Sequence, residues 1–110
     1  MTTQPEQMEW LGESGESYTY DIHKFEGTWN DVPGNYIFAR LNDNRRWTAI
    51  YIGETESFKD RLTESHKKLP CARENGFTHV HAHINRDGEQ ARLDEETDLR
   101  ANRDTPCNDQ

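Results

Sequence analysis

Aliphatic and basic residues are both in short supply. Leu, Ile, Val and Phe together number seventeen of 110 residues, mean hydropathy is -1.19, and thirteen Lys and Arg face twenty-one Asp and Glu for a net charge of -8. That combination borders on the composition of chains too polar to offset the entropy of ordering. The apolar residues are concentrated in 36–69 and 77–99, however, which is the pattern of one folded domain with a polar tail. A chain of this length supports one core and one principal site, which excludes a multidomain enzyme. No run approaches the roughly 18 apolar residues of a membrane span. The start from Met1 to Glu6 lacks the basic stretch and apolar run of a secretion signal, so a cytoplasmic location without a membrane partner is expected. Cys71 and Cys107 are too few for a disulfide framework and lack CxxC spacing, so free or buried thiols in a reducing compartment are expected.

Charge is unevenly distributed. Residues 1–33 carry seven acids against Lys24, a net -6; residues 34–73 carry eight bases against five acids, +3; residues 74–110 carry four against nine, -5. Local patches rather than the total decide phosphate contact, so the basic middle keeps nucleic acid open as a partner. Residues 1–17, polar apart from Met8, Trp10 and Leu11, read as an acidic flexible tail. Such a tail beside a basic segment either competes with nucleic acid for it or is a solvated spacer that aids solubility.

Residues 18–33 read as an N-terminal strand and turn, because Tyr18, Tyr20 and Ile22 alternate with Thr19, Asp21 and His23 before a Gly/Pro-rich stretch. YIFARL (36–41) and WTAIYI (47–52) flank a polar turn and predict an antiparallel hairpin. Ser57 is placed to cap a helix over about 58–68 that Pro70 stops. FTHVHAHI (77–84) predicts a further strand, and 89–103 a charged amphipathic helix. The expected fold class is therefore α+β, a small antiparallel sheet flanked by helices.

Gly34-Asn35-Tyr36 and Tyr51-Ile52-Gly53, on the two strands of that hairpin, resemble the paired motifs of the GIY-YIG nuclease superfamily. The resemblance extends over 34–110: Arg61 follows Tyr51 by ten residues, Glu96 lies in the last helix, and the chain ends in Pro106-Cys107-Asn108. It implies a phosphodiester hydrolase acting on DNA, with Tyr36, Tyr51, Arg61 and Glu96 as catalytic residues. Glu96 would hold Mg²⁺ or Mn²⁺, and Gly53, His66 and Asn108 would lie at the substrate. The residue types suit that chemistry. A guanidinium matches phosphate oxygens that gain charge during cleavage. Mg²⁺ takes oxygen ligands, commonly one or two carboxylates with water and phosphate. Tyr36 would accept the water proton only with its pKa brought down from about 10. With no room for a separate reading domain, sequence specificity is expected to be low or borrowed from a protein partner.

Each assignment has a competing reading. Tyrosines on alternating strands pack across strands, and Arg61 on a helix face is an ordinary solvated charge. Glu96 between Leu93 and Leu99 points where the helix packs, but Arg92 and Arg100 at i-4 and i+4 would bracket it as ion pairs. Asn35 replaces the central Ile of the first motif. His66 stands one position beyond where the family places its histidine, a shift of about 100° on a continuous helix. These departures motivate the alternative of a non-catalytic GIY-YIG-fold module that binds nucleic acid or protein. A zinc site at His79, His81 and His83 is a third reading, set against a polar strand face backed by Val80, Ala82 and Ile84.

Overall fold

Aromatic side chains together with a few fully buried aliphatics (Ile37, Ile50, Ile52, Val80) build the sheet. The computed structural model describes residues 6–108, and Ser17–His23 (β2), Gly34–Leu41 (β3), Trp47–Thr55 (β4) and His79–Ile84 (β5) are strands, β2 and β5 as their period-two patterns require and β3 and β4 as the two β-prone runs about a polar turn. A further strand, Gln7–Leu11 (β1), pairs antiparallel with β2 and places Met8 opposite Tyr20 and Trp10 opposite Tyr18. The tail expected over 1–17 is thus corrected from residue 7 onward, while residues 1–5 lie outside the described residues. Trp10 is the reason: it is 8% exposed and donates its indole N–H to His81 Nδ1 at 2.9 Å. One large aromatic can anchor a strand that composition alone would leave loose.

The order is β1-β2-β5-β3-β4, with every neighbour antiparallel. Together with the helices Phe58–Arg61 (α1), Leu69–Glu74 (α2) and Glu89–Ala101 (α3), this makes an α+β fold. One face of the sheet (Tyr36, Phe38, Ile50, Val80) packs under Phe58, Leu62, Leu69 and Ala72 from the α1–α2 region. The other (Ile37, Ala39, Ile52 with Tyr20 and Trp10) packs under Leu99 of α3. Both faces are therefore covered, which corrects the polar histidine face: His81 is fully buried and stacks edge-on to Trp47 at 4.4 Å.

Three local outcomes differ from expectation. The helix expected over 58–68 ends after one turn. Ser57 caps it as foreseen, its hydroxyl accepting from Asp60 N–H. Thr63 Oγ1 then accepts from Ser65 N–H and His66 Nδ1 from Lys68 N–H, so side-chain acceptors replace the helical ladder. Pro70 opens α2 instead of stopping a helix, since its missing N–H costs nothing in a first turn. Gly76 at φ 75° ends α2, with Phe77 N–H on Ala72 O. Cys71 of α2 and Cys107 form a disulfide across 36 residues, correcting the free thiols; spacing in sequence carried no sign of it because the turn at 105–108 returns onto α2 only in the folded chain.

Candidate active site

Tyr51 reaches its position through a β-bulge. Phe38 pairs with Tyr51 but Ala39 with Ala49, so Ile50 is an extra residue and the alternation of β4 slips by one. Strict alternation from Trp47 would send Tyr51 to the α3 side. The bulge turns it to the face that holds Tyr36, and the two rings lie 6.0 Å apart. Chain-end residues secure this irregular stretch: Cys107 N–H donates to Ile50 O at 3.0 Å, and Asn108 binds both Ile52 N–H and Ile52 O, at 2.8 and 2.9 Å. Asn108 thereby commits both polar groups of its amide to the backbone of β4. Gly53 pairs with Tyr36, and a Cβ there would lie 2.6 Å from Tyr36 Cζ and 2.7 Å from its Oη. Its role is to let the Tyr36 ring lie against the strand.

Tyr36 is fully buried and its hydroxyl meets His66 Nε2 at 2.6 Å. Because His66 Nδ1 accepts the Lys68 N–H, the neutral ring carries its proton on Nε2 and donates it to Tyr36 Oη. Burial, with Arg61 and Lys68 adding to it, holds His66 down at about 4, so the ring is neutral near pH 7. The end of α1 at Leu62 brings His66 here, since the 100° rotation applies only to a continuous helix. Burial pushes the Tyr36 hydroxyl well above its ordinary value, with the neighbouring Tyr51 hydroxyl adding to the rise and Arg61 opposing it. Burial thus holds the phenol protonated, opposite to the lowered pKa that accepting a proton from water would require.

Tyr51 is the half-buried phenol that reaches the surface. Its pKa is raised by burial and Glu96 and opposed by the Tyr36 hydroxyl, Arg61 and Arg100. It lines a cleft of about 370 Å³ with Arg61, His66, Lys67 and Lys68. Arg61 is exposed at the end of α1 and makes no ion pair among the described residues.

Glu96 does not line that cleft. It approaches from α3, half-buried, with Arg100 Nη1 at 3.7 Å. Burial raises its pKa, Arg100 opposes this, and Glu54 adds to it. Leu93 is 36% exposed whereas Arg92 and Glu95 are each 4% exposed, so the inward side of α3 runs through Arg92, Glu95 and Leu99 and not between Leu93 and Leu99. Arg92 pairs with Glu54 at 3.0 Å, leaving Arg100 alone of the two expected brackets on Glu96.

No set of three His, Cys, Asp or Glu among the described residues is arranged to hold a metal ion. The three strand histidines have separate partners: His79 meets Thr78 Oγ1, His81 the Trp10 indole and His83 the Glu95 carboxylate. No helix among the described residues is long and apolar enough to cross a membrane. A scan against protein-family models and searches of curated proteins and of solved structures found no match.

Proposed function

We propose that this chain is a GIY-YIG-type endonuclease that hydrolyses phosphodiester bonds of DNA in the presence of Mg²⁺ or Mn²⁺. The observation that carries the reading is that Tyr51, Arg61 and His66 line one cleft with Lys67 and Lys68, while Tyr36 lies buried beneath it against Tyr51 and His66. Two of those residues arrive only by way of a bulge and a broken helix. In this reading Arg61, with Lys67 and Lys68 beside it, binds the phosphate and stabilises the charge that develops on its oxygens. The Tyr51 hydroxyl, at the surface, donates to or orders water at the phosphate. Tyr36 and His66 fix Tyr51 from below.

Glu96 is the residue that would hold the metal. Glu54 is tied to Arg92, and a single carboxylate ligand fits Mg²⁺ that keeps its waters and shares a phosphate better than it fits an ion needing a full protein cage. When bound, such an ion supplies Lewis-acid stabilisation of phosphate charge.

The full burial of Tyr36 and the position of Glu96 outside the cleft favour a second reading, a module of the same fold that binds nucleic acid without cutting it. Incubation with plasmid and single-stranded DNA, with and without Mg²⁺ or Mn²⁺, separates the two. Under the first reading Glu96→Gln abolishes cleavage while the circular dichroism spectrum stays native. Arg61→Lys lowers the rate tenfold or more, about 1.4 kcal/mol per decade. Metal-independent binding with no nicking would establish the second.

A further inference from the structure

The contacts that hold α3 are mostly polar. Its inward side presents Arg92, Glu95 and Leu99, of which only Leu99 is apolar, and Asp98 at the more exposed edge faces residues 13–18. Glu95 Oε2 accepts from the Tyr20 hydroxyl at 2.6 Å and from His83 Nδ1 at 2.9 Å, and Oε1 accepts from Asn85 Nδ2 at 3.3 Å. One turn on, Asp98 accepts from Ser14 N–H and from the Ser14 and Tyr18 hydroxyls, at 2.8, 2.7 and 2.8 Å, while its own carbonyl takes Glu13 N–H. Gly12 permits that approach, because a Cβ at Gly12 would collide with the Asp98 carboxylate. Asn102 Nδ2 and Arg103 Nη2 both donate to Leu11 O. Tyr20, Tyr18, Ser14, Glu13, Gly12 and Leu11 all belong to the β1–β2 hairpin, outside the segment that carries the family motifs.

Apolar packing is non-directional and tolerates rotation of a helix about its axis, whereas hydrogen bonds to carboxylates do not. Glu96 is next to Glu95 in the chain, so the rotation that Glu95 and Asp98 set also places the Glu96 carboxylate. At a helix radius of roughly 5.5 Å with side chains, a rotation of about 20° moves that carboxylate about 2 Å. A displacement of about 1 Å can cost about 100-fold in rate.

We infer that the N-terminal hairpin is a positioning element for Glu96, acting through Tyr20 on Glu95 and through Ser14 and Tyr18 on Asp98. The inference rests on the nuclease reading for what Glu96 does, but not for how α3 is held. Neither Glu95 nor the hairpin residues touch substrate in this account.

The test uses the full chain with Tyr20→Phe and, separately, the Ser14→Ala/Tyr18→Phe double variant, which leaves Tyr20 and the rest of the core in place should the first variant fail to fold. Amide exchange along α3 is expected to quicken at least tenfold in each. Broadening of the amide resonances of Glu95, Glu96 and Thr97 by Mn²⁺ alone is expected to weaken. The Mg²⁺ concentration for half-maximal cleavage is expected to rise at least fivefold, with KM for DNA within twofold of wild type. Unchanged exchange and unchanged Mn²⁺ broadening in both variants would overturn the inference. A wild-type chain that binds Mn²⁺ near Glu96 but cuts nothing would overturn the nuclease reading instead, with exchange and broadening still deciding the role of the hairpin.

Discussion

Removing the Cys71–Cys107 disulfide, by reduction or by the Cys71→Ser/Cys107→Ser double variant, tests the tertiary structure where it departs furthest from its sequence. The bridge closes 36 residues, and chain-entropy scaling for a loop of that size gives about 4 kcal/mol, most of it through the unfolded state. Against the roughly 5–15 kcal/mol that a domain of this size retains, this is a large share of the total. The local consequence is as specific as the global one. Cys107 N–H is bonded to the bulged Ile50, and Asn108 to Ile52 on the other side of Tyr51. Freeing the chain end therefore loosens the strand that carries Tyr51. Urea unfolding with and without a phosphine reductant should show a lower midpoint on reduction. It should also show a steeper denaturant dependence, because an unlinked chain exposes more surface when it unfolds. Thiol titration of unreduced protein in denaturant should find no free thiol. Two titratable thiols, or coincident unfolding curves in the two conditions, would refute the reasoning.

Gly53→Ala should destabilise by about 1–3 kcal/mol, the range for overpacking, because its Cβ would press on the rigid Tyr36 and Tyr51 rings; a melting temperature equal to wild type would show that the rings give way freely. Stability should also depend on pH in two opposed limbs. His66 and His81 are held neutral by burial, at about 4 and about 3, so their contribution is complete above the unfolded value near 6.5 and is lost as pH falls through those values. His83 is raised by its bond to Glu95, so its contribution is present below about 6.5 and is lost as pH rises through its folded value. Melting temperature against pH should therefore lose its acid decline in part with His81→Gln and its alkaline decline with His83→Gln. Curves parallel to wild type in both would count against these assignments.

How much of this was legible in the sequence differs element by element. Period-two alternation was sufficient for β2 and β5, since alternation is a local consequence of the pleat, and two β-prone runs about a polar turn were sufficient for the β3–β4 hairpin. Ser57 as a cap was equally local. The bulge at Ile50 was not legible, because WTAIYI reads as an unbroken strand and only pairing against β3 reveals the extra residue. Nor was β1, whose single anchor, Trp10, finds its partner His81 seventy-one residues away.

The candidate site divides the same way. The motif resemblance in the sequence, and not residue type alone, singled out the side chains to watch: Tyr36, Tyr51, Arg61 and Glu96. Tertiary structure decided that Tyr36 is buried beneath Tyr51, that His66 joins them, and that Asn108 braces β4. It also decided that Glu95, and not Leu93, lies on the inward side of α3. Hydrophobic periodicity could not locate that side, because apart from Leu99 the groups that hold α3 are a guanidinium and two carboxylates. A buried charge is tolerated only where partners from distant segments meet it, and those partners exist only in the folded chain.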